Sequence, residues 1–445
     1  MTGADTPMRI LLVAYDYPPL GSPQAIRWYY LSRELARLGV ELHVLAPDIP
    51  ARDGNNLAVP AGVTVHRCSA GGLAGWRARR EYALHRETSS VPATDDAHAG
   101  PTHLNWKGRL YQRLERLIGC WVYPDSRGLW RMPAGKALEM LIDAVRPDVL
   151  ISSHEPAVTL QLGLQVAARV PVWLADLGDP VLAGYTPRHW RRRAGELEAA
   201  VCRVATGISV TTEATRDLLV ARHEIDASRV LVLHQGFDDT CPGDGAPEAA
   251  SRAEGATRAG ELHLLYTGRF YPFRDPIVLF DAVLGLESIR LTVAAPEVKS
   301  EYLAYAERSG GRIVFLGEQP HTRVLELQRQ CDVLVNIGNA MNAQIPGKLF
   351  EYLGSGKPIL HCQNSAVDPV VDLMQQWQRG WSCRYDRDAI QSLLTALLDS
   401  PQRVVDAATG DATAIAHYGW SRLAARLHAY CRRMMARTTH SCRHD

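Results

Sequence analysis

The repeated alternation of short apolar segments with helical segments is the feature that most constrains how this chain folds. Residues 9–15 and 41–46 are apolar runs, and residues 25–38 between them place apolar side chains at helical spacing. A strand, a loop with Pro and Gly, a helix and a second strand make a βαβ unit, which implies a parallel sheet with right-handed crossovers. The alternation continues to about residue 234, so the first half is expected to be a doubly wound α/β domain.

The alternation stops at residues 238–260, where Gly, Ala, Pro and acidic residues dominate, and then restarts. We therefore expect two Rossmann-like domains, and 445 residues suffice for both. The predicted organisation is an N-terminal domain at 1–237 with an irregular insert at about 70–128, a linker at 238–260, a second domain at 261–413, a helix at 414–437 crossing back to the first domain, and a disordered tail at 438–445. The predicted strands of the second domain lie at 262–267, 289–294, 312–316, 331–336 and 357–361.

Composition excludes several classes of protein. Lys and Arg number 49 and Asp and Glu 48, a formal net charge of +1, so no bulk charge drives nucleic-acid binding. No apolar run reaches the ~18 residues of a membrane span, and Asp16 directly follows the first apolar run, which favours a buried strand over a signal peptide. The nine cysteines are scattered without a C-x-x-C pair. Reduced thiols in a cytoplasmic protein are the expectation.

Residues 76–117 combine arginines and lysine with tryptophan, tyrosine and leucine. Two interpretations are open for this basic, aromatic region. It is either a solvated pair of helix faces or a patch that contacts an anionic acceptor or the inner membrane surface peripherally.

The loops that follow predicted strands carry the polar chemistry. Parallel sheets bind ligands at the carboxyl ends of their strands. In residues 344–359, Pro346 and Gly347 open a helix whose first N–H groups, together with Lys348, suit a phosphate. Glu351 follows one turn later, on the helix face that can reach a sugar hydroxyl.

Residues 344–359 resemble the nucleotide-sugar site of family 4 glycosyltransferases, which are retaining enzymes of the GT-B fold. The family motif has two glutamates eight positions apart. The second, which usually holds the nucleotide ribose, matches Glu351, whereas the first, which usually contacts the donor sugar, is Ala343 here. Gln344 is the candidate substitute. The resemblance implies a nucleotide diphosphate-sugar donor bound by Gln344, Gly347, Lys348, Leu349 and Glu351.

A second loop, at the end of the first strand of the second half, contains Gly268, Arg269 and Arg274. The family has Gly-Arg here and a Lys five or six residues later, and Arg274 stands in for that Lys. The resemblance implies that the two arginines neutralise the departing diphosphate, so neither a metal ion nor a cofactor is expected. Glu318 lies at a strand end where relatives hold the base through backbone groups.

Three loops of the first half complete the predicted site. His154, followed by Glu and Pro, resembles the family turn that places a histidine against the reacting sugar. Gly21 belongs to a loop expected near the donor phosphate. Arg27, Asp176 and Asp179 match positions of a bacterial subgroup and are candidates for acceptor binding. Arg27 as an ordinary residue of the first helix turn, and Asp179 as a helix N-cap, are the alternatives.

The sequence thus predicts a GT-B enzyme whose two domains face across a cleft. The resemblance implies transfer of a hexosyl group with retention, in bacterial glycan or glycoconjugate biosynthesis, to a glycan, lipid-linked or small-molecule acceptor. Alternatives are a non-catalytic protein that binds a nucleotide sugar or a partner, which Ala343 favours, a natural-product glycosyltransferase, and an inverting enzyme or nucleotide-sugar epimerase. A Rossmann dehydrogenase is disfavoured because no G-x-G-x-x-G follows a strand.

Overall fold

The computed structural model describes residues 7–50, 57–72, 74–75, 78, 121–240, 260–339 and 345–441. The chain divides into two compact units. Unit 1 comprises Met1–His234 and Ala424–Asp445, and unit 2 comprises Gln235–Leu423. Of the predicted basic, aromatic region only Ala78 is described, and most of the predicted linker lies outside the described residues. The expectations for these two segments therefore stay predictions.

Unit 1 is built on a seven-stranded parallel sheet with the strand order β3-β2-β1-β4-β5-β6-β7. Because the order reverses between β1 and β4, the loops that follow these two strands meet at the topological switch point of the sheet, where ligands of such folds bind. The strands are β1 (Arg9–Ala14), β2 (Glu41–Asp48), β3 (Val63–Ser69), β4 (Val149–Ser153), β5 (Val172–Gly178), β6 (Gly207–Val210) and β7 (Val230–Val232).

The helices of unit 1 begin where local chemistry favours a helix start. Ser22 caps α1 by accepting a hydrogen bond from the Ala25 amide at 3.2 Å, and Pro23 occupies the first helical position. Buried side chains from both faces of the sheet, including Trp130 and Trp173, form the core. The helices are α1 (Pro23–Arg37), α2 (Arg131–Val145), α3 (Val158–Val166), α4 (Arg191–Val204) and α5 (Glu213–His223).

Unit 2 repeats the design with a six-stranded parallel sheet of order β10-β9-β8-β11-β12-β13, which reverses between β8 and β11. Its strands are β8 (Leu262–Thr267), β9 (Ile289–Ala294), β10 (Ile313–Phe315), β11 (Val333–Ile337), β12 (Ile359–Gln363) and β13 (Gly380–Arg384). Its helices are α6 (Ile277–Leu284), α7 (Ser300–Arg308), α8 (His321–Gln330), α9 (Gly347–Gly354), α10 (Pro369–Trp377), α11 (Arg387–Asp399), α12 (Gln402–Thr409) and α13 (Ala412–Ala416).

Helix α9 packs closely against the first residues of unit 2. A Cβ atom added at Gly354 would lie 2.6 Å from the Cβ of Phe237, so only glycine allows this approach. Phe237 also forms an isolated bridge with Gly419. The start of unit 2 is thus held between α9 and the segment that precedes the last helix.

The last helix, α14 (Trp420–Ser441), begins in unit 2 and continues into unit 1 from Ala424 onward. In unit 1, the Tyr430 hydroxyl donates a hydrogen bond to the Arg229 carbonyl at 2.6 Å, and Arg426 donates to the Val232 carbonyl at 2.9 Å. The predicted tail begins inside this helix.

The doubly wound α/β architecture predicted from the sequence is confirmed. Both sheets are parallel, and in each the strand order reverses next to a central strand, β1 or β8. Strands β3 and β13 were not predicted. Within the described ranges, no helix combines the length and the apolar character needed to cross a membrane.

Candidate functional site

In unit 2, the loop after β8 holds a lysine amino group at the switch point of the sheet. Lys348, at the start of α9, donates a hydrogen bond from Nζ to the Thr267 carbonyl at 3.0 Å. The same Nζ lies 3.5 Å from the ring centroid of Tyr266, a cation–π contact. Gly268 follows with φ +99°, in the left-handed region that favours glycine. Its backbone lies next to the Lys348 side chain, because a Cβ added at Gly268 would be 3.8 Å from Cδ of Lys348.

Arg274 lies in the same region as Lys348. It is 8% exposed, donates a hydrogen bond from its guanidinium to the Asn339 side chain, and lies over the ring of Tyr271. Burial, and then the positive charge of Arg274, hold the pKa of Lys348 well below its ordinary value. In the described part of the chain, the recorded ion pairs give neither cation a carboxylate partner. Both cations lie next to Tyr266, and their mutual repulsion would be relieved by an anion bound beside them.

Arg269 is not brought to this pair. Its side chain is 49% exposed and forms an ion pair with Glu297 at 3.2 Å. The structure thus places Arg269 in an exposed ion pair, whereas Arg274 is buried. Residue Gln344 lies outside the described residues.

The first turn of α9 offers fewer free backbone N–H groups than the sequence predicts. The amide of Leu349 donates a hydrogen bond to the Pro346 carbonyl at 3.0 Å, and the Leu349 side chain is buried. This amide already has an acceptor in the turn. Gly347, in contrast, is exposed, and a Cβ there would be 3.4 Å from Gln235.

Glu351 lies further along α9 and is held by α8. Gln328 donates a hydrogen bond to Oε1 of Glu351 at 2.6 Å, and Nδ1 of His321 lies 3.6 Å from Oε2. The Glu351 side chain is 21% exposed, so its carboxylate is oriented yet reachable. Glu318 is exposed after β10, and its carbonyl accepts a hydrogen bond from the Gln319 side chain at 3.2 Å.

In unit 1, Arg27 and Asp176 are both buried and lie 3.5 Å apart as an ion pair. Arg27 also donates to the carbonyls of His234 and Leu233, at 2.8 and 3.0 Å, and Asp176 accepts from the Ser209 hydroxyl at 2.8 Å. The structure thus uses these two charges to tie α1, β5 and the end of β7 together. Neither charge is presented to a ligand, in contrast to the acceptor-binding expectation.

His154 follows β4 directly and is 6% exposed. Its Nδ1 lies 2.8 Å from the Leu177 carbonyl. Because a carbonyl oxygen only accepts, Nδ1 carries the proton, and Nε2 of the neutral ring is an acceptor. Gly21 precedes the N-cap of α1 in the neighbouring loop, where Gln24 donates hydrogen bonds to Ser153 and to the His154 carbonyl.

His154 lines a cavity of about 270 Å³ that is formed within unit 1. Aromatic, proline and charged side chains from three segments surround it. The lining residues are Tyr123, Pro124, Asp125, Arg127, His154, Glu155, Pro156, Ala157, Pro180, Val181, Tyr185, Thr186, Pro187 and Trp190.

Two carboxylates converge on one hydroxyl at the rim of this cavity. The Tyr185 hydroxyl lies 3.4 Å from Oε1 of Glu155 and 3.4 Å from Oδ2 of Asp179. Burial, together with these two negative charges, raises the pKa of Tyr185. Sequence reasoning singled out Asp179 but missed Glu155 and Tyr185. The Glu155 position, one residue after His154 at a strand end, was the available signal.

Two doubly wound parallel units, each with a switch point in its strand order, are the architecture of the GT-B fold. The sequence profile of Glycosyltransferase Family 4 matches residues 91–240. The D-inositol 3-phosphate glycosyltransferase of Mycobacteroides abscessus is 31% identical over 349 residues, which are 74% of this chain and 68% of that protein. The chain therefore belongs to glycosyltransferase family 4, a family of retaining enzymes that use nucleotide sugars, and the resemblance predicted from the sequence is confirmed.

Solved structures with the same fold are more distant in sequence. HepE of Anabaena, solved with UDP and glucose, has a TM-score of 0.59 at 13% identity and covers 95% of this chain and 98% of that chain. WaaG, a glycosyltransferase involved in lipopolysaccharide biosynthesis, has a TM-score of 0.56 at 13% identity with the same coverage of the two chains. At these identities the likeness establishes the fold alone.

Proposed function

We propose that this glycosyltransferase binds a nucleotide diphosphate-sugar in unit 2 and transfers its hexosyl group, with retention and without a divalent metal, to a hydroxyl of an acceptor bound in the cavity of unit 1. The observation that carries the proposal is the pair of cations formed by Arg274 and Lys348. They lie at the switch point of the unit 2 sheet, where such folds bind ligands. HepE, whose structure contains UDP and glucose, supports this type of donor.

The cation pair acts on the leaving group. When the bond between the anomeric carbon and the diphosphate oxygen breaks, its electron pair stays on the diphosphate. Arg274 and Lys348 stabilise that charge, and each such contact supplies about 2–4 kcal/mol of transition-state stabilisation. Arg269 also contacts the diphosphate in this proposal, after leaving its ion pair with Glu297. That ion pair is exposed, so breaking it costs at most about 1 kcal/mol.

Glu351 and His154 have binding roles in the proposal. The Glu351 carboxylate, oriented by Gln328, accepts hydrogen bonds from the ribose hydroxyls of the donor. His154 offers Nε2 as an acceptor to a hydroxyl of a bound sugar, with its tautomer fixed by the Leu177 carbonyl.

The acceptor is proposed to be a polyhydroxylated ring. Curated relatives are named for D-inositol 3-phosphate, a phosphorylated cyclitol. A glycan end, the sugar of a lipid-linked glycan and a free cyclitol all present such a ring.

The test begins with a thermal-shift screen of UDP-, GDP-, ADP- and TDP-sugars, because ligands of the native state raise its melting temperature. Consumption of the selected donor is then measured for wild type and Arg274→Gln. We expect Arg274→Gln to lower turnover about 30- to 1000-fold. Arg290→Gln, which changes an exposed arginine at the amino end of the same sheet, serves as the matched control.

Wild-type turnover by Arg274→Gln would refute the donor assignment. A nucleotide sugar that stabilises the protein and is neither hydrolysed nor transferred would instead support the non-catalytic alternative. The anomeric configuration of the product, determined by NMR, separates retention from inversion.

A further inference from the structure

Resting on the proposed function, we infer that the unit 1 cavity selects an acceptor ring that bears no phosphate or carboxylate. This specificity comes from the charges of the residues that surround the cavity. Glu155, Asp179 and Tyr185 are its specificity-determining residues.

The size and walls of the cavity fit one sugar or cyclitol ring. Its volume of about 270 Å³ lies just under the ~300 Å³ at which pockets for drug-sized ligands begin. Tyr123 and Trp190 form an edge-to-face aromatic pair, with ring centroids 5.3 Å apart. Aromatic faces of this kind contact the C–H faces of a sugar ring, while hydroxyls at the ring edge need polar partners.

Several polar groups at the cavity are hydrogen-bond acceptors. The Tyr185 hydroxyl has one hydrogen and lies 3.4 Å from both Glu155 and Asp179, so it can satisfy only one carboxylate oxygen at a time. Glu155 is exposed. His154, which is more than nine-tenths buried, adds Nε2, for which the described residues provide no recorded hydrogen-bond donor. Ligand hydroxyls or ammonium groups can donate to the exposed Glu155 carboxylate and to Nε2 of His154.

The guanidinium that lines the cavity is already bound. Arg127 donates from Nε and Nη2 to Oδ2 of Asp125, at 3.0 and 2.7 Å, and the Arg127 amide donates to Oδ1 of the same residue at 2.8 Å. Although burial opposes its charge, Asp125 and then Asp16 and Glu155 raise the pKa of Arg127. Asp125 therefore offsets the positive charge of Arg127 and occupies the Nε edge of its guanidinium.

A second arginine near the cavity, Arg193, does not make the net charge around the cavity positive. Arg193 stacks over the rings of Tyr123 and Trp190, at 5.0 and 5.8 Å from their centroids. Among the described residues, four carboxylates lie near these two arginines, those of Asp16, Asp125, Glu155 and Asp179. A phosphate, which carries about −1.5 to −2 charges at neutral pH, would meet like charge here, and such juxtaposition costs several kcal/mol.

The experiment uses the full chain and two matched probe pairs: myo-inositol with myo-inositol 1-phosphate, and glucose with glucose 6-phosphate. Dissociation constants are measured by ligand-observed NMR. In wild type we expect the uncharged member of each pair to bind at least about tenfold more tightly than its phosphate. In the double variant Glu155→Gln/Asp179→Asn we expect this ratio to shrink to about threefold or less.

Asp143→Asn is the matched control and should leave the ratio at its wild-type value. It makes the same change at an exposed carboxylate near the end of α2, which precedes the amino end of β4. Equal or tighter binding of the phosphates by wild type, no binding of either uncharged probe, or an unchanged ratio in a folded double variant would overturn the inference. Donor hydrolysis, assayed separately without acceptor, reports on the proposed function, so the two failures are distinguishable.

Discussion

Lys348→Met is expected to change ligand affinity and ligand-free stability in opposite directions. In the described part of the free protein, the ammonium donates a hydrogen bond to the Thr267 carbonyl and lies over the rings of Tyr266 and Tyr352. Its pKa is lowered by burial and by Arg274, so the charged form is disfavoured there. Replacing a buried charge by an apolar side chain of similar shape is often neutral or stabilising, by about 1–4 kcal/mol.

In the proposed complex with a nucleoside diphosphate, the same ammonium would make a charge-assisted hydrogen bond worth about 1.5–3 kcal/mol. Losing this hydrogen bond raises Kd about 10- to 150-fold. Calorimetric titration with the nucleoside diphosphate selected by the thermal-shift screen measures the affinity, and thermal unfolding without ligand measures the stability. Lys357→Met, just before β12 at the amino end of the sheet, is the control. Wild-type affinity in Lys348→Met, or a lower melting temperature without ligand, would refute the reasoning.

Three further outcomes follow from the packing and the charges. Asp176→Asn leaves the buried Arg27 guanidinium without its counter-charge, so urea unfolding should show a loss of about 3–5 kcal/mol; a loss of activity with unchanged stability would instead indicate direct acceptor binding. Gly354→Ala places a Cβ against Phe237 and should destabilise unit 2 by about 1–3 kcal/mol, whereas a helical glycine without such a neighbour would tolerate alanine. Affinity for a nucleoside diphosphate should fall as pH rises through the lowered pKa of Lys348, and calorimetry in buffers of different ionisation enthalpy should detect proton uptake on binding; no pH difference between wild type and Lys348→Met would count against this.

Much of the fold could be predicted from the sequence because central strands of a parallel sheet are buried on both faces and form continuous apolar runs. Strands β1, β4, β8 and β11 follow this rule. The edge strand β3 is only partly buried along its length, and its sequence mixes apolar and polar residues. The same holds for β13 at the edge of the other sheet. Such edge strands lack the continuous apolar run on which the prediction of a strand depends.

The position of the candidate site could be predicted in outline, because a residue directly after a buried strand lies at the carboxyl edge of the sheet. The strand-end position of His154, directly after β4, could be predicted in this way. The partners of charged residues could not be predicted, since they depend on contacts between distant segments. Burial of Arg27 against Asp176, and the exposed pairing of Arg269, are set by tertiary packing alone.

The course of α14 bears on how the protein is synthesised. Residue Gly207 lies on β6, and a Cβ there would be 2.4 Å from the Tyr430 hydroxyl, so this helix fits against the strand without space to spare. Unit 1 is assembled from both ends of the chain. Unit 1 therefore cannot complete its packing until α14 has been synthesised, and a fragment that stops at residue 234 would expose the apolar side chains that α14 covers.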